Sequence, residues 1–222
     1  MSTEGTVAKN HGRLITIILA TVVVITTVAV YFMLTRHNIH TQEVKLDGLY
    51  LTTATDINDF KLKDTRGKTF TKDNLKGHWT LMFFGFTNCG MVCPTTMTAL
   101  KQMYKTLKVD LPADQLPQVM MVSVDPDRDS IKRMKDYVTA FNPKFIGARA
   151  EQHQVEALEK QLHLISVKMQ ANGKKKNQYT INHSAEIMVF NPEGKLQAYL
   201  SYPHVADQMA VDYKTMLKKA IA

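Results

Sequence analysis

The stretch Phe83 to Pro94, F-F-G-F-T-N-C-G-M-V-C-P, constrains the fold of this chain more than any other. The uncharged run that leads into it, Trp79 to Phe86, reads as a central strand covered on both faces. A Gly/Thr/Asn turn ends that run. Cys89 and Cys93 follow, the only two cysteines in the chain, and a helical pattern starts around Pro94. Proline is favoured in the first turn of a helix, where its missing N–H is not needed. Cys93 is therefore expected at or beside a helix N-terminus, with Cys89 on the loop before it. Unpaired N–H groups and the helix dipole favour an anion there, and a thiolate is an anion. Both sulfurs should be more acidic and more reactive than ordinary buried cysteines. Two kinds of chemistry are open to such a pair, soft-metal binding and thiol–disulfide exchange.

The chain has 222 residues, enough for one domain with a full hydrophobic core that needs no disulfide staples. Its net charge of +8 is spread along the sequence. The densest cluster, Lys174-Lys175-Lys176, follows Asn172-Gly173 and reads as a solvated hairpin loop, with an acidic partner or lipid headgroups as the second reading. Nucleic acid is not an expected partner.

Residues 1–13 are short and polar and read as a cytoplasmic N-terminus. Residues 14–34 carry no charge, and as a helix they would span roughly 31 Å, enough for the hydrocarbon core of a bilayer. A buried soluble helix should show a polar face, and this run has only scattered threonines. A cleaved signal peptide has a shorter apolar region and a small-x-small site, whereas Thr35-Arg36-His37-Asn38 follows here. An uncleaved transmembrane anchor is the expectation. Lys9 and Arg13 favour leaving the N-terminus in the cytoplasm, although Arg36 and Lys45 lie on the other side. The implied location is a single pass of the bacterial inner membrane with the globular part facing the periplasm, or the mitochondrial inner membrane facing the intermembrane space. Residues 35–54 read as a tether and 55–222 as the globular domain.

Within that domain Asp64-Thr65-Arg66-Gly67 joins the two strands of a hairpin. Trp79 to Phe86 and Gln118 to Val124 are buried strands. The helix after the cysteines places Met97, Leu100, Tyr104 and Leu107 on one face. A second helix carries Ile131, Met134, Val138 and Phe141, capped by Asp127 or Asp129. A short strand at Phe145 to Ala148 precedes a third helix with Val155, Leu158 and Leu162. Leu164 to Gln170 and Tyr179 to Phe190 read as strands around the lysine loop. Asn191-Pro192-Glu193-Gly194 is a turn before the strand Leu196 to Leu200. The last helix carries Met209, Tyr213, Met216 and Ala220. This order, with the dithiol where a central strand opens into a helix, predicts an α/β thioredoxin-like sandwich, a central mixed sheet flanked by helices. Such sheets place their chemistry at the carboxyl ends of strands.

The cysteine spacing is Cys-x-x-x-Cys, so both sulfurs project to one side if the segment is a helical turn. As a staple, a disulfide across so short a ring would yield about 2 kcal/mol, which a domain of this size does not need. Structural zinc wants four protein ligands, and the chain has no second cysteine pair. Copper suits two thiols better, since Cu(I) accepts two or three ligands, and a third, if present, should be a histidine. Among eight histidines, His11, His37 and His40 lie in or beside the anchor and tether, and His78 begins the central strand. His153 and His163 bracket a helix, and His204 sits in the loop before the last one. His183, in Ile181-Asn182-His183-Ser184, precedes the apolar strand Ile187 to Phe190 and, in a thioredoxin-like layout, faces the cysteine loop.

Three segments in order, G-F-T-N-C-G-M-V-C-P, V-S-V-D-P-D-R-D and N-H-S-A-E-I-M-V-F-N-P-E-G, resemble those of the Sco/SenC family over about residues 50–222. The resemblance implies a membrane-anchored, thioredoxin-like protein that binds copper, as Cu(I) or Cu(II), and helps assemble the dinuclear copper centre of cytochrome c oxidase. By resemblance, Cys89, Cys93 and His183 match the family's copper ligands, and Asp125 its Asp-Pro turn. The implied partners are the copper-accepting oxidase subunit and another copper chaperone. The second activity it leaves open is a thiol–disulfide oxidoreductase, with Cys89 and Cys93 as its redox dithiol, acting on the cysteines of the same subunit or of other exported proteins. The family commonly has Pro and an acidic residue after the first cysteine, where this chain has Gly90 and Met91.

Overall fold

A computed structural model describes residues 19–33, 47–170 and 178–221. The chain divides into two units, Met1–Glu43 and Val44–Ala222. In the first, residues 19–33 form helix α1, whose valines and leucine are exposed. Thr26 and Thr27 return their hydroxyls to the carbonyls of Val22, Val23 and Val24, which removes their need for water. Among the described residues no helix is long and apolar enough to cross a membrane. Residues 14–18 and 34 of the expected span, like residues 1–13, 35–46 and the lysine cluster, lie outside the described residues.

The second unit is built on an eight-stranded mixed sheet. Its strands are β1 (Gly48–Thr55), β2 (Lys61–Asp64), β3 (Thr69–Thr71), β4 (Thr80–Gly85), β5 (Gln118–Ser123), β6 (Ile146–Arg149), β9 (Ile187–Phe190) and β10 (Leu196–Leu200). Their order across the sheet is β1-β10-β9-β4-β5-β6-β2-β3. A separate two-stranded ribbon consists of β7 (Ser166–Gln170) and β8 (Tyr179–His183). The helices are α2 (Val92–Asp110), α3 (Ile131–Phe141), α4 (Gln152–Gln161) and α5 (Ala206–Ile221). Every residue of β4 and β9 is buried, as uncharged strands in the middle of a covered sheet should be. Full burial of each Leu, Met or Phe there stabilises by about 1.5–3 kcal/mol. Helix α2 buries Met97, Leu100, Met103, Tyr104 and Leu107 and packs against α5 and α3.

The topology fixes where chemistry can sit. Strands β4, β5 and β6 are parallel, so their carboxyl ends line one rim of the sheet. Strand β9 is antiparallel to β4, with Ile187 opposite Phe83, and therefore begins at that rim. Whatever precedes β9 is delivered beside whatever follows β4.

Four details differ from the sequence expectations. Residues 48–54, expected as the end of the tether, form with Thr55 the edge strand β1 against β10; mostly exposed and threonine-rich, it leaves no apolar alternation to read. Tyr179 to Phe190 is two strands rather than one. The ladder between β4 and β9 ends at the Phe83–Ile187 pair, and Tyr179 to His183 pair with β7 instead. The cap of α3 is Ser130, whose hydroxyl accepts from the Arg133 amide at 3.2 Å, while Asp129 is buried with other partners. On α5, Leu217 takes the buried place expected of Ala220, which is exposed.

Candidate metal centre

Strand β4 ends at Gly85, and a Cβ there would stand 2.9 Å from the Cys93 sulfur. The absence of a side chain at Gly85 makes the room that the buried thiol occupies. The chain then turns through Phe86, Thr87 and Asn88 to Cys89, whose amide donates to the Phe86 carbonyl at 3.2 Å. Helix α2 starts at Val92, so Cys93 and Pro94 lie in its first turn, as the sequence predicts. The Cys93 amide, one of those with no partner inside the helix, donates to Cys89 Sγ at 3.4 Å. Both cysteines are free; Cys93 is fully buried and Cys89 half-buried.

The two thiols are electrostatically unequal. The Cys93 thiol, His183 and the amides of Cys93 and Met91 together hold Cys89 at a pKa of about 3, against the opposing effect of burial. Cys93 is pushed the other way by its bond to Cys89 and by burial. One sulfur is thus an exposed-side thiolate and the other a buried thiol that donates to it.

His183 is the last residue of β8, and the ribbon brings it to the rim. Its Nδ1 lies 2.7 Å from the Ser184 carbonyl oxygen, which can only accept, so Nδ1 carries the proton. The other ring nitrogen, Nε2, faces the Cys93 sulfur, 3.5 Å away. Phe83 and Phe86 meet the imidazole edge-on, with ring centroids at 5.9 and 5.7 Å, and wall it on the protein side. The three ligand atoms lie within 4.8 Å of one another, and among the described residues no other trio of His, Cys, Asp or Glu does so.

Two sets of polar groups fasten this arrangement, and the sequence pattern pointed to neither as such. Buried Asp129 accepts from the Thr87 amide at 3.1 Å, from the Thr87 hydroxyl, and from Ser123 Oγ at 2.7 Å, which ties the cysteine loop to the end of β5. Arg133 holds Thr87 and Asn88 from α3. On the other side Asp125, fully buried, accepts the Tyr179 hydroxyl at 2.6 Å and is paired with Arg128. Arg128 lies 3.7 Å from the centroid of the Tyr179 ring and donates to the Tyr179 carbonyl at 3.0 Å. Asp125 thus does more than shape a turn: it anchors the ribbon that carries His183.

The remaining described histidines stay away from the sulfurs. His204 is buried between Thr96 and the Leu200 carbonyl, which burial and those bonds explain as structural. His153 and His163 are exposed, and His78 is half-buried beside β4. His11, His37 and His40 lie outside the described residues. Met91 is 71% exposed on the cysteine loop, as an ordinary loop methionine is.

Two soft sulfurs and one imidazole suit a soft metal at low coordination number, and fall one ligand short of a closed tetrahedral zinc site. Comparison with known proteins places the chain among relatives of one family. The family model described as SCO1/SenC matches residues 51–218. The human mitochondrial protein named SCO2 homolog is 33% identical over 153 residues, which is 68% of this chain and 56% of that protein. The chain thus spans little more than half the length of that relative. The copper-bound crystal structure of ScoI from Arabidopsis thaliana superposes with a TM-score of 0.67 at 25% identity, covering 73% of this chain and 98% of that one. Copper-bound yeast Sco1 gives 0.66 at 26% identity, covering 74% and 89%.

Proposed function

Because the chain belongs to the SCO1/SenC family, we propose that it binds copper through Cys89, Cys93 and His183 and passes it on during assembly of the copper centre of cytochrome c oxidase. The observation that carries this reading is the convergence of two sulfurs and the His183 imidazole within 4.8 Å, from segments 90 positions apart. The Cys89 thiolate is available to the metal without a proton leaving first, and the half-buried loop leaves that sulfur open to an incoming ligand. Copper is cargo in this reading. It moves to the acceptor by ligand exchange, an incoming thiolate attaching before an outgoing one is released, and a three-ligand site has room for that.

Residues 14–34, read as an anchor from their lack of charge, would hold the domain at the outer side of the inner membrane beside its acceptor. Protease accessibility of the domain in spheroplasts tests that placement. For metal binding the test is anaerobic competition with a Cu(I) chelator. Cys89→Ser or Cys93→Ser should abolish tight binding and His183→Ala should weaken it; unaltered affinity in all three overturns the reading.

A second activity has its own support. The unequal thiols are those of a dithiol reductant, with Cys89 attacking a substrate disulfide and Cys93 resolving the mixed disulfide to leave a Cys89–Cys93 bond. Each turnover reduces one substrate disulfide and oxidises this pair. His183→Ala should leave such reduction intact while impairing copper binding, which separates the two activities.

A further inference from the structure

Glu159 sits in the last turn of α4, only 3% exposed, and none of the chemistry above uses it. Its Oε2 accepts from the Ser166 hydroxyl at 2.8 Å, and its Oε1 is buried with no hydrogen-bond partner among the described residues. Its backbone carbonyl accepts from the amides of Leu162 and Leu164, at 3.0 and 2.8 Å, so the same residue ends the helix and turns the chain toward β7. A carboxyl with one unmade bond is an expensive thing to keep in a core, and an apolar side chain of similar size would avoid that penalty.

What lies across from this group gives it a role. Ser166 is the β7 residue directly opposite His183 in the register of the ribbon. The next step of the ladder is closed by the Ser184 amide on the Ile165 carbonyl at 2.9 Å and by the Ile165 amide on the Ser184 hydroxyl at 3.1 Å. Ser184 in turn supplies the carbonyl that fixes the His183 tautomer. Burial holds the Glu159 carboxyl above the usual range, with the Ser166 bond and the nearby His183 acting against it.

We propose that Glu159 is a positioning residue for the metal centre: through Ser166 it fixes the strand on which His183 is registered, and so sets where Nε2 stands relative to the Cys93 sulfur. The inference rests on the reading of His183 as a copper ligand.

Two measurements on the full chain test it. In the reduced, metal-free protein, NMR contacts between the His183 ring and the rings of Phe83 and Phe86 should be lost in Glu159→Ala and in Ser166→Ala. They should persist in Glu159→Gln, whose amide oxygen still accepts from Ser166. In Cu(I) chelator competition, Glu159→Ala and Ser166→Ala should each weaken binding on the order of tenfold. In a His183→Ala background the same substitutions should change nothing, because the group they position is gone. Equal losses with and without His183, or unchanged ring contacts, overturn the proposal. If Glu159→Ala does not fold, Ser166→Ala decides by the same comparison. Failure of the unaltered protein to bind Cu(I) defeats the reading of function, whereas additive losses in a protein that does bind defeat this inference alone.

Discussion

The sulfur half and the imidazole half of the centre are built by opposite means. The sulfurs sit where a fully buried strand runs into a helix, with Cys93 itself part of the core and the loop tied down by Asp129 and Arg133. The imidazole sits at the end of a two-stranded ribbon whose β7 face is largely exposed. A ribbon of two strands has little stability of its own. This one borrows it from Ile181 in the core and from polar ties through Asp125, Arg128, Glu159 and an ion pair between Lys168 and Asp127. The lesson is that one half is held by the fold and the other is held to the fold. Damage to the first should register as lost stability, and damage to the second as altered metal binding.

The sharpest contrast lies within the sulfur half and is read by pH. Cys89 has a folded pKa of about 3, far below that of an ordinary thiol near 9, so between those limits the folded chain binds fewer protons than the unfolded one at this group. Its contribution to stability is complete above pH 9, shrinks as pH falls, and is lost on passing through about 3. At pH 5 the reduced, metal-free protein should alkylate at Cys89 and resist at Cys93, a difference of orders of magnitude in rate. His183→Ala should leave that labelling in place, because the Cys93 thiol is the largest cause of the shift. If His183→Ala silences Cys89 at pH 5, the two halves are not separable as described.

Next in size is Asp129→Asn. It disturbs a buried acceptor of bonds from Thr87 and Ser123 and should destabilise by about 2–3 kcal/mol in denaturant unfolding. Smallest is Tyr179→Phe, which removes one bond to the Asp125 carboxylate and should cost about 1.5 kcal/mol. That loss should show as faster hydrogen exchange in β7 and β8 and as weaker Cu(I) binding, with the sheet amides unchanged. A global fall in sheet protection for Tyr179→Phe would erase the distinction between the halves.

How much of this was legible beforehand follows the same division. The strand–thiol–helix unit was readable because an uncharged run, a turn and a helix-opening proline are neighbours in sequence. The histidine was reached through layout and resemblance, and its strand was read too long, because nothing local says where β4 stops offering partners to β9. Asp127 and Asp129 are both candidate caps in the sequence and Ser130 is the cap, because an acid before a helix looks the same whether it faces solvent or, like Asp129, the core. Glu159 carried no signal at all: one glutamate on an amphipathic helix is expected to face water, and here it is buried.

The α/β order, the placing of two thiols at a helix start and the soft character of the donors follow from neighbouring residues alone. Tertiary structure alone decided that His183 closes the trio, that Gly85 makes room for a sulfur, and which acids hold each half in place. The reason is range. Periodicity, caps and turns report on residues a few positions apart, whereas the meeting of Cys93 and His183 across 90 positions depends on an antiparallel ladder between β4 and β9 that delivers both to the same rim.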